Sequence, residues 1–242
     1  MNITVEYSAI TNCGKIRKEN QDRIYLNDIS VKPDENGNFA KSGIIESDSN
    51  VIFAVFDGMG GEERGSEASQ IAVDYVSDQS AESFEEMCFE INDLICDYMQ
   101  KHSVKRMGTT AAILEIGEKE INICNVGDSG IFRISNLEIG IISEEHAINV
   151  GKKRVLTQHL GIPEDELIIE PFTETTRYNR NDIFLLCSDG LTDMVDEVRI
   201  ADIILENPIS QAAKLLFEDA MANGGKDNIS IIVCKLKTEQ RC

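Results

Sequence analysis

Six apolar residues, Val51 to Phe56, run without interruption and stop at Asp57, and glycines follow at Gly58, Gly60, Gly61 and Gly65. A run this short, bounded by a turn signal, reads as a strand buried on both faces. Past the glycines, Ala68, Ile71, Ala72, Tyr75 and Val76 recur at i, i+3, i+4, i+7 and i+8, the period of an amphipathic helix. The stretch therefore sets a carboxylate at the mouth of a buried strand, on backbone free of side-chain bulk. Such a place suits a cation or an anionic substrate, and the rest of the chain has to decide between them.

The chain has 242 residues, short of the roughly 250–300 at which a single core stops growing, and reads as one domain spanning 1–242. Hydrophobic residues make up 42%, enough for a large core and against disorder. The formal net charge of −20 argues against nucleic acid, whose phosphates need a basic footprint, and against an anionic membrane surface. No apolar run approaches the ~20 residues of a membrane helix, and MNITVEYSAI lacks the basic-then-apolar order of a signal peptide. There are seven cysteines and no CxxC pair. Several, such as Cys187 and Cys234, sit inside apolar runs, where a thiol acts as a small hydrophobe. A disulfide framework or zinc site is not expected; a reducing cytoplasm and a monomer are.

Ile3 to Ile10 partly alternates and reads as a half-buried strand, with Arg23 to Asp28 a second. Ile29 to Asn50 is polar and mixed and reads as a long loop. A second helix starts near Ser83 with Glu86 three residues on, a capping-box pattern, and its apolar stripe is Phe84, Met87, Cys88, Ile91, Leu94, Ile95 and Tyr98. Strands follow over 108–116, 120–128, 130–134 and 137–143, joined by short hairpin links. After Ser143 comes a brief irregular segment, then strands at 166–172 and 182–189. Val198 to Asn223 reads as two helices divided at Asn207-Pro208, and Asn228 to Lys237 as a closing strand. Strands, helices, strands, helices, strand is not the alternation of a parallel α/β sheet; it fits antiparallel sheets faced by helices.

Asp57, Asp189 and Asp227 each end or precede an apolar run beside glycine, and Asp128 in NVGDSG and Asp22 in NQD have similar settings. A single Asp-Gly pair is ordinary turn chemistry. Five strand-end aspartates are another matter: converging, they would repel strongly in a low-dielectric cleft and stay ionised together only beside cations. Carboxylate, carbonyl and water ligands suit Mg²⁺ and Mn²⁺, and the histidines, His102, His146 and His159, form no zinc pattern. Two divalent ions would also reverse the local charge for a phosphate ester and lower the pKa of a shared water, with Arg17 as a fork for phosphate oxygens.

RKENQD (17–22), FDGMGG (56–61), GTT (108–110), NVGDSG (125–130), LTQHLG (156–161, with Thr157), LLCSDGLTDMV (185–195) and GGKDNIS (224–230) together, and in order, resemble the motifs of metal-dependent type 2C serine/threonine protein phosphatases, most closely the bacterial branch. The resemblance spans almost the whole chain. It implies an α+β fold, a four-layer α-β-β-α sandwich of two mainly antiparallel sheets flanked by helices. It implies hydrolysis of phosphoserine and phosphothreonine on proteins, the products of a serine/threonine kinase, by direct attack of a water or hydroxide bridging two Mn²⁺ or Mg²⁺ ions. On this likeness Asp57 bridges two metals, Gly58 offers its carbonyl, Asp189 and Asp227 complete the ligand set, Asp22 holds metal-bound water, Arg17 binds substrate phosphate, and Asp128 with Asp189 holds a third metal.

Three departures stand out. Met59 occupies the place where many eukaryotic members carry a histidine proposed as general acid, which leaves water on the third metal as the proton donor. Gly130 stands where arginine is usual, for no reason visible in the sequence. The segment between His146 and Leu156 is shorter than the family's usual flap, with Lys152, Lys153 and Arg154 kept, which predicts a more open cleft. The competing readings are a catalytically silent regulatory or phosphopeptide-binding module of the same fold, and a nucleotide-binding protein. Against the second, Glu63 stands where the third glycine of GxGxxG should be, and no GxxxxGK[ST] occurs.

Overall fold

The computed structural model describes residues 3–29, 31–59, 64–78, 81–151, 153–179 and 181–237. Gly60, Gly61, Glu63, Lys152 and Cys242 lie outside these residues. The chain opens with strands β1 (Ile3–Asn12), β2 (Arg23–Leu26), β3 (Phe39–Ser47), β4 (Val51–Phe56) and the short β5 (Gly58–Met59), then helices α1 (Gly65–Asp78) and α2 (Phe84–His102). It continues through β6 (Gly108–Thr109), β7 (Ala111–Ile116), β8 (Glu120–Val126), β9 (Gly130–Ser135), β10 (Glu138–Ile141), β11 (Ala147–Val150), β12 (Lys153–Leu156), β13 (Phe172–Arg177) and β14 (Ile183–Cys187). Helices α3 (Asp189–Thr192), α4 (Glu197–Glu206) and α5 (Ile209–Ala222) and strand β15 (Ile229–Leu236) complete it.

Two antiparallel sheets form the centre, in the orders β10-β9-β14-β15-β1-β3 and β13-β8-β7-β4-β2, with small ribbons β5-β6 and β11-β12 beside them. The apolar run of β4 explains why there are layers on both sides. Val51, Phe53 and Val55 face the core between the sheets, meeting Val5, Tyr7, Leu114, Phe184 and Ile232. Ile52, Ala54 and Phe56 point the other way, onto Ala68, Ala72 and Val76 of α1 and Ile91 and Ile95 of α2. β14 splits likewise, with Phe184 and Leu186 between the sheets and Leu185 beneath α4 and α5, among Ile203, Ile204 and Leu216. Each such side chain, once buried, contributes about 1.5–3 kcal/mol relative to exposure, so strands apolar on both faces commit the chain to four layers.

The capping pattern at Ser83 is realised: the Glu86 N–H donates to Ser83 Oγ at 3.2 Å, while the Glu86 carboxylate reaches back to the Glu82 N–H at 2.7 Å. Four expectations are corrected. Ile29 to Asn50 is not all loop, because β3 pairs antiparallel with β1 from Phe39 to Ser47; as an edge strand only its Ile45 is fully buried, so it carries no clear alternation. Residues 166–172 are not a strand. Glu166 and Leu167 turn on the Pro163 carbonyl, Ile168 is exposed, and only Ile169 is buried. Pro171 has no N–H to give a ladder, so pairing with β8 begins at Phe172 and runs along the polar β13. The irregular segment after Ser143 contains the β11-β12 ribbon, turning at Gly151 with φ +65°. Leu94 is exposed, and Met99 and Asn92 take its place on the buried side of α2.

Gly130 also gains a reason. A Cβ there would fall 2.6 Å from the Phe132 ring, so the position usually held by arginine is filled by a neighbour's side chain.

Candidate active site

The expected acids converge at one end of the sandwich, where strands of both sheets stop. Asp57 follows β4 and its backbone is fixed on three sides. Its N–H donates to Thr110 Oγ1 (3.0 Å), and its carbonyl accepts from the Thr110 N–H (2.9 Å) and the Thr109 hydroxyl (3.0 Å). Thr110 Oγ1 in turn lies 2.6 Å from Ser129 Oγ, tying this strand end to the loop that carries Asp128. Close backbone packing makes the site possible: a Cβ on Gly58 would meet the Gly65 carbonyl oxygen at 2.3 Å and the Gln21 carbonyl oxygen at 2.4 Å. Gly190 is as tight, its missing Cβ lying 1.9 Å from the Asn228 carbonyl oxygen, and this contact seats Asp189 at the first turn of α3 beside the start of β15.

Asp22 is fully buried, and its Oδ2 accepts from Ser188 Oγ (2.9 Å) and Ser230 Oγ (2.7 Å). Because Ser230 spends its proton on Asp22, the Thr11 hydroxyl 2.8 Å away must donate to Ser230, and the Asn20 amide donates to Thr11 at 2.7 Å. Donors thus line up toward one carboxylate oxygen. The other, Oδ1, is buried with no hydrogen-bond partner, and Asp57 is close enough to hydrogen-bond to the Asp22 carboxyl when either is protonated. Asp227 accepts from the Asn228 N–H (2.8 Å) and from Arg17 Nη2 (2.6 Å). The Asn228 side chain pins the loop bearing Arg17: its oxygen accepts from the Gln21 N–H, and its amide donates to the Cys13 and Glu19 carbonyls. Asp128 stands under the β11-β12 ribbon, with Arg154 Nε 3.9 Å from its carboxylate while Arg154 Nη2 pairs with Glu145 at 2.8 Å.

The electrostatics follow from this crowding. Burial first, then Asp22, Asp189, Asp128 and Asp227, push the Asp57 carboxyl far above the usual range. Burial and then Asp128 and Asp227 raise Asp189 to about 7. Burial raises Asp22 to about 6 against the pull of its two serine donors. Asp128 is raised by burial and partly relieved by Arg154. Among the described residues no three acid, histidine or cysteine side chains are gathered tightly enough to enclose an ion as they stand; Asp227 is turned to Arg17, and like charges hold each other apart. A divalent cation would reverse that repulsion. The donors are carboxylates plus the Gly58 carbonyl, the chemistry of hard ions, and the orphaned Asp22 oxygen is an acceptor needing a metal-held water or similar donor. The residues fit such a cation.

Over residues 40–211 the chain matches the family model for protein phosphatase 2C. The chain belongs to that family. It is 30% identical to the serine/threonine phosphatase stp of Listeria welshimeri, with 96% of each chain covered. The serine/threonine phosphatase of S. agalactiae matches in fold with a TM-score of 0.79 and 24% identity, over 96% of this chain and all of that one. The catalytic domain of PstP, solved in complex with two manganese ions, matches with a TM-score of 0.77 and 21% identity, over 98% of this chain and all of that one. The two-sheet, helix-flanked architecture of this phosphatase 2C chain is the one those structures share.

Beyond the expected acids and Arg17, the geometry adds Ser188, Ser230, Thr110 and Asn228. All four sit inside the quoted motifs; Ser188 and Asn228 adjoin Asp189 and Asp227, whereas Thr110 and Ser230 have only uncharged neighbours and carry no signal in the sequence.

Proposed function

We infer that this phosphatase 2C chain is a metal-dependent protein serine/threonine phosphatase. The observation that carries the reading is the gathering of Asp57, Asp189, Asp128 and Asp227 at the strand ends beside the buried Asp22, whose Oδ1 has no hydrogen-bond partner; cations between the five acids would neutralise them. In this reading Asp57, Asp189, Asp227 and the Gly58 carbonyl hold two Mn²⁺ or Mg²⁺ ions, and Asp128 with Asp189 takes a third. Such ions, when bound, polarise the phosphoryl group and acidify the water that hydrolyses the ester. With the ions bound, the free oxygen of Asp22 would accept a hydrogen bond from that water, its carboxylate held in place by Ser188 and Ser230. Arg17 leaves Asp227 to fork two phosphoryl oxygens, which its exposed side chain is free to do. The substrates are phosphoproteins made by a serine/threonine kinase, and residues 1–242 act as one monomeric unit. No helix among the described residues is long and apolar enough to cross a membrane. The six described cysteines are free, with the Cys88 and Cys124 sulfurs 3.4 Å apart; the cytoplasmic setting in this reading comes from the odd cysteine count and the lack of a CxxC pair in the sequence.

The test is hydrolysis of p-nitrophenyl phosphate and a phosphoserine peptide. Activity with Mn²⁺ should vanish with chelator, and in Asp189→Ala with an intact circular-dichroism spectrum. Hydrolysis indifferent to chelator, or none with either metal, would overturn the reading.

A further inference from the structure

We propose that a basic pocket behind the β5-β6 ribbon is a second anion subsite, taking a carboxylate or phosphate that the substrate protein carries about three residues from the phosphorylated side chain. The proposal rests on the phosphatase reading and adds to it a class of substrate.

The pocket is a cavity of about 260 Å³ lined by Lys105, Arg106, Thr157 and His159, with Glu166 the one acid on its wall. In a chain with 43 acidic and 23 basic residues, so cationic a lining is out of keeping with the surface. Among the described residues Lys105 and Arg106 form no ion pair, a state shared with Arg23 and Arg177 but not with Arg17, Arg64, Arg133, Arg154 and Arg199; of these unpaired cations, only Lys105 and Arg106 line this cavity. Both are exposed, on the turn from α2 to β6. A charge pair left unneutralised beside a cavity is what an anionic side chain would complete.

His159 shapes the wall and is not itself a donor to the anion. Its Nδ1 lies 2.9 Å from the Leu160 carbonyl oxygen, which can only accept, so Nδ1 carries the proton and Nε2 is an acceptor; Lys105 and Arg106 are the groups that would bind an anion. The ring is wedged against β6: a Cβ on Gly108 would come 2.4 Å from Nδ1, so glycine there is what admits the imidazole.

The distance to the acids follows from the ladder. Gly58 pairs with Thr109, and Thr109 with Leu160. Two strand spacings of about 4.8 Å put Leu160 roughly 10 Å from Gly58, and an extended peptide advances about 3.3 Å per residue. Leu156 and Thr157 on the pocket wall close the β12 strand, whose Arg154 stands over Asp128. The pocket thus lies between the two ribbons that flank the acids.

The experiment compares the whole protein with Lys105→Glu/Arg106→Glu and, as a milder pair, Lys105→Gln/Arg106→Gln. Substrates are p-nitrophenyl phosphate, a phosphoserine peptide with neutral flanks, and the same peptide with glutamate or a second phosphoserine at −3 or +3. Wild type should favour one acidic peptide by on the order of tenfold in kcat/KM, the worth of one charge-assisted contact, mostly through KM. Both variants should lose that preference and keep the neutral-peptide and p-nitrophenyl phosphate rates. The better of the glutamate and phosphoserine peptides identifies the anion. No preference in wild type, or a preference kept in both variants, overturns the subsite. Loss of p-nitrophenyl phosphate hydrolysis in wild type would instead strike the phosphatase reading, and that arm reports on it alone.

Discussion

Replacing Asp22 by asparagine should stabilise the metal-free protein at neutral pH, the opposite of what removing a buried, hydrogen-bonded residue normally does. The magnitude comes from the site. Burial lifts the Asp22 carboxyl from 3.8 to about 6, and at ~1.4 kcal/mol per pH unit its ionised form costs the fold roughly 3 kcal/mol at most. Because the folded pKa is raised, the acid's contribution is fully favourable below 3.8 and is lost as pH rises through about 6. Asparagine keeps an oxygen for the Ser188 and Ser230 hydroxyls and turns an N–H toward Asp57, so the hydrogen bonds survive and the charge does not. For a chain of this size 1 kcal/mol moves the melting temperature by about 2–4 °C, so Asp22→Asn in chelator at pH 8 should melt up to roughly 6–12 °C above wild type. By pH 4.5 most of the gap should close, since wild-type Asp22 is then protonated. In saturating manganese the order should reverse, because the carboxylate then has a use the amide lacks. Differential scanning calorimetry in those three conditions decides it. A variant that melts at or below wild type in chelator at pH 8, or whose gain persists at pH 4.5, would refute the account of the cleft as like charges held together by cations.

Two further outcomes follow from the same geometry. Arg17→Ala should leave the melting temperature nearly unchanged, since its pair with Asp227 is 55% and 38% exposed and such pairs contribute about 0–1 kcal/mol, yet lower kcat/KM for a phosphoserine peptide roughly 10–100-fold; a large stability loss with normal kinetics would show Arg17 to be structural. Arg133→Met should destabilise by about 3–5 kcal/mol in urea, because among the described residues the carboxylate of Asp182, 2% exposed, would keep only the Asn179 N–H, while activity of the folded fraction stays intact. The double change with Asp182→Leu should recover much of the loss.

What the sequence disclosed, and what it hid, divides by burial. β4, β14 and β15 are apolar on both faces, so their layers above and below were readable from residues alone. The stripe of α2 was readable except at Leu94, where helical period alone could not show which flank of the stripe meets the sheet. β3 and β13 are sheet edges with mostly exposed side chains, and a polar strand held by backbone ladders looks like loop. The reverse error at residues 166–172 has the same root: the apolar residues there suggested burial, but Pro171 and the turn on Pro163 deny the backbone a partner. At the site, the charged residues announced themselves by their setting after buried strands. Ser188, Ser230 and Asn228 did not, because a hydroxyl or amide earns a role only from what stands opposite it in the fold.

The position of the acids then ties function to packing. Asp57 leaves a strand of one sheet, Asp189 and Asp227 flank strands of the other, and Asp128 lies on the crossing from β8 to β9. The cleft is therefore the seam between the sheets, and its width is set by the core of Phe53, Val55, Phe184 and Ile232 behind it. Sheets pack about 10 Å apart, close enough for short aspartate side chains from both to share ions, with backbone contacts at Gly58 and Gly190 taking up the tolerance. Longer acids would collide across that seam, and a looser core would part them. That is why the site is built of aspartate, and why its geometry depends on apolar residues that never touch a phosphate.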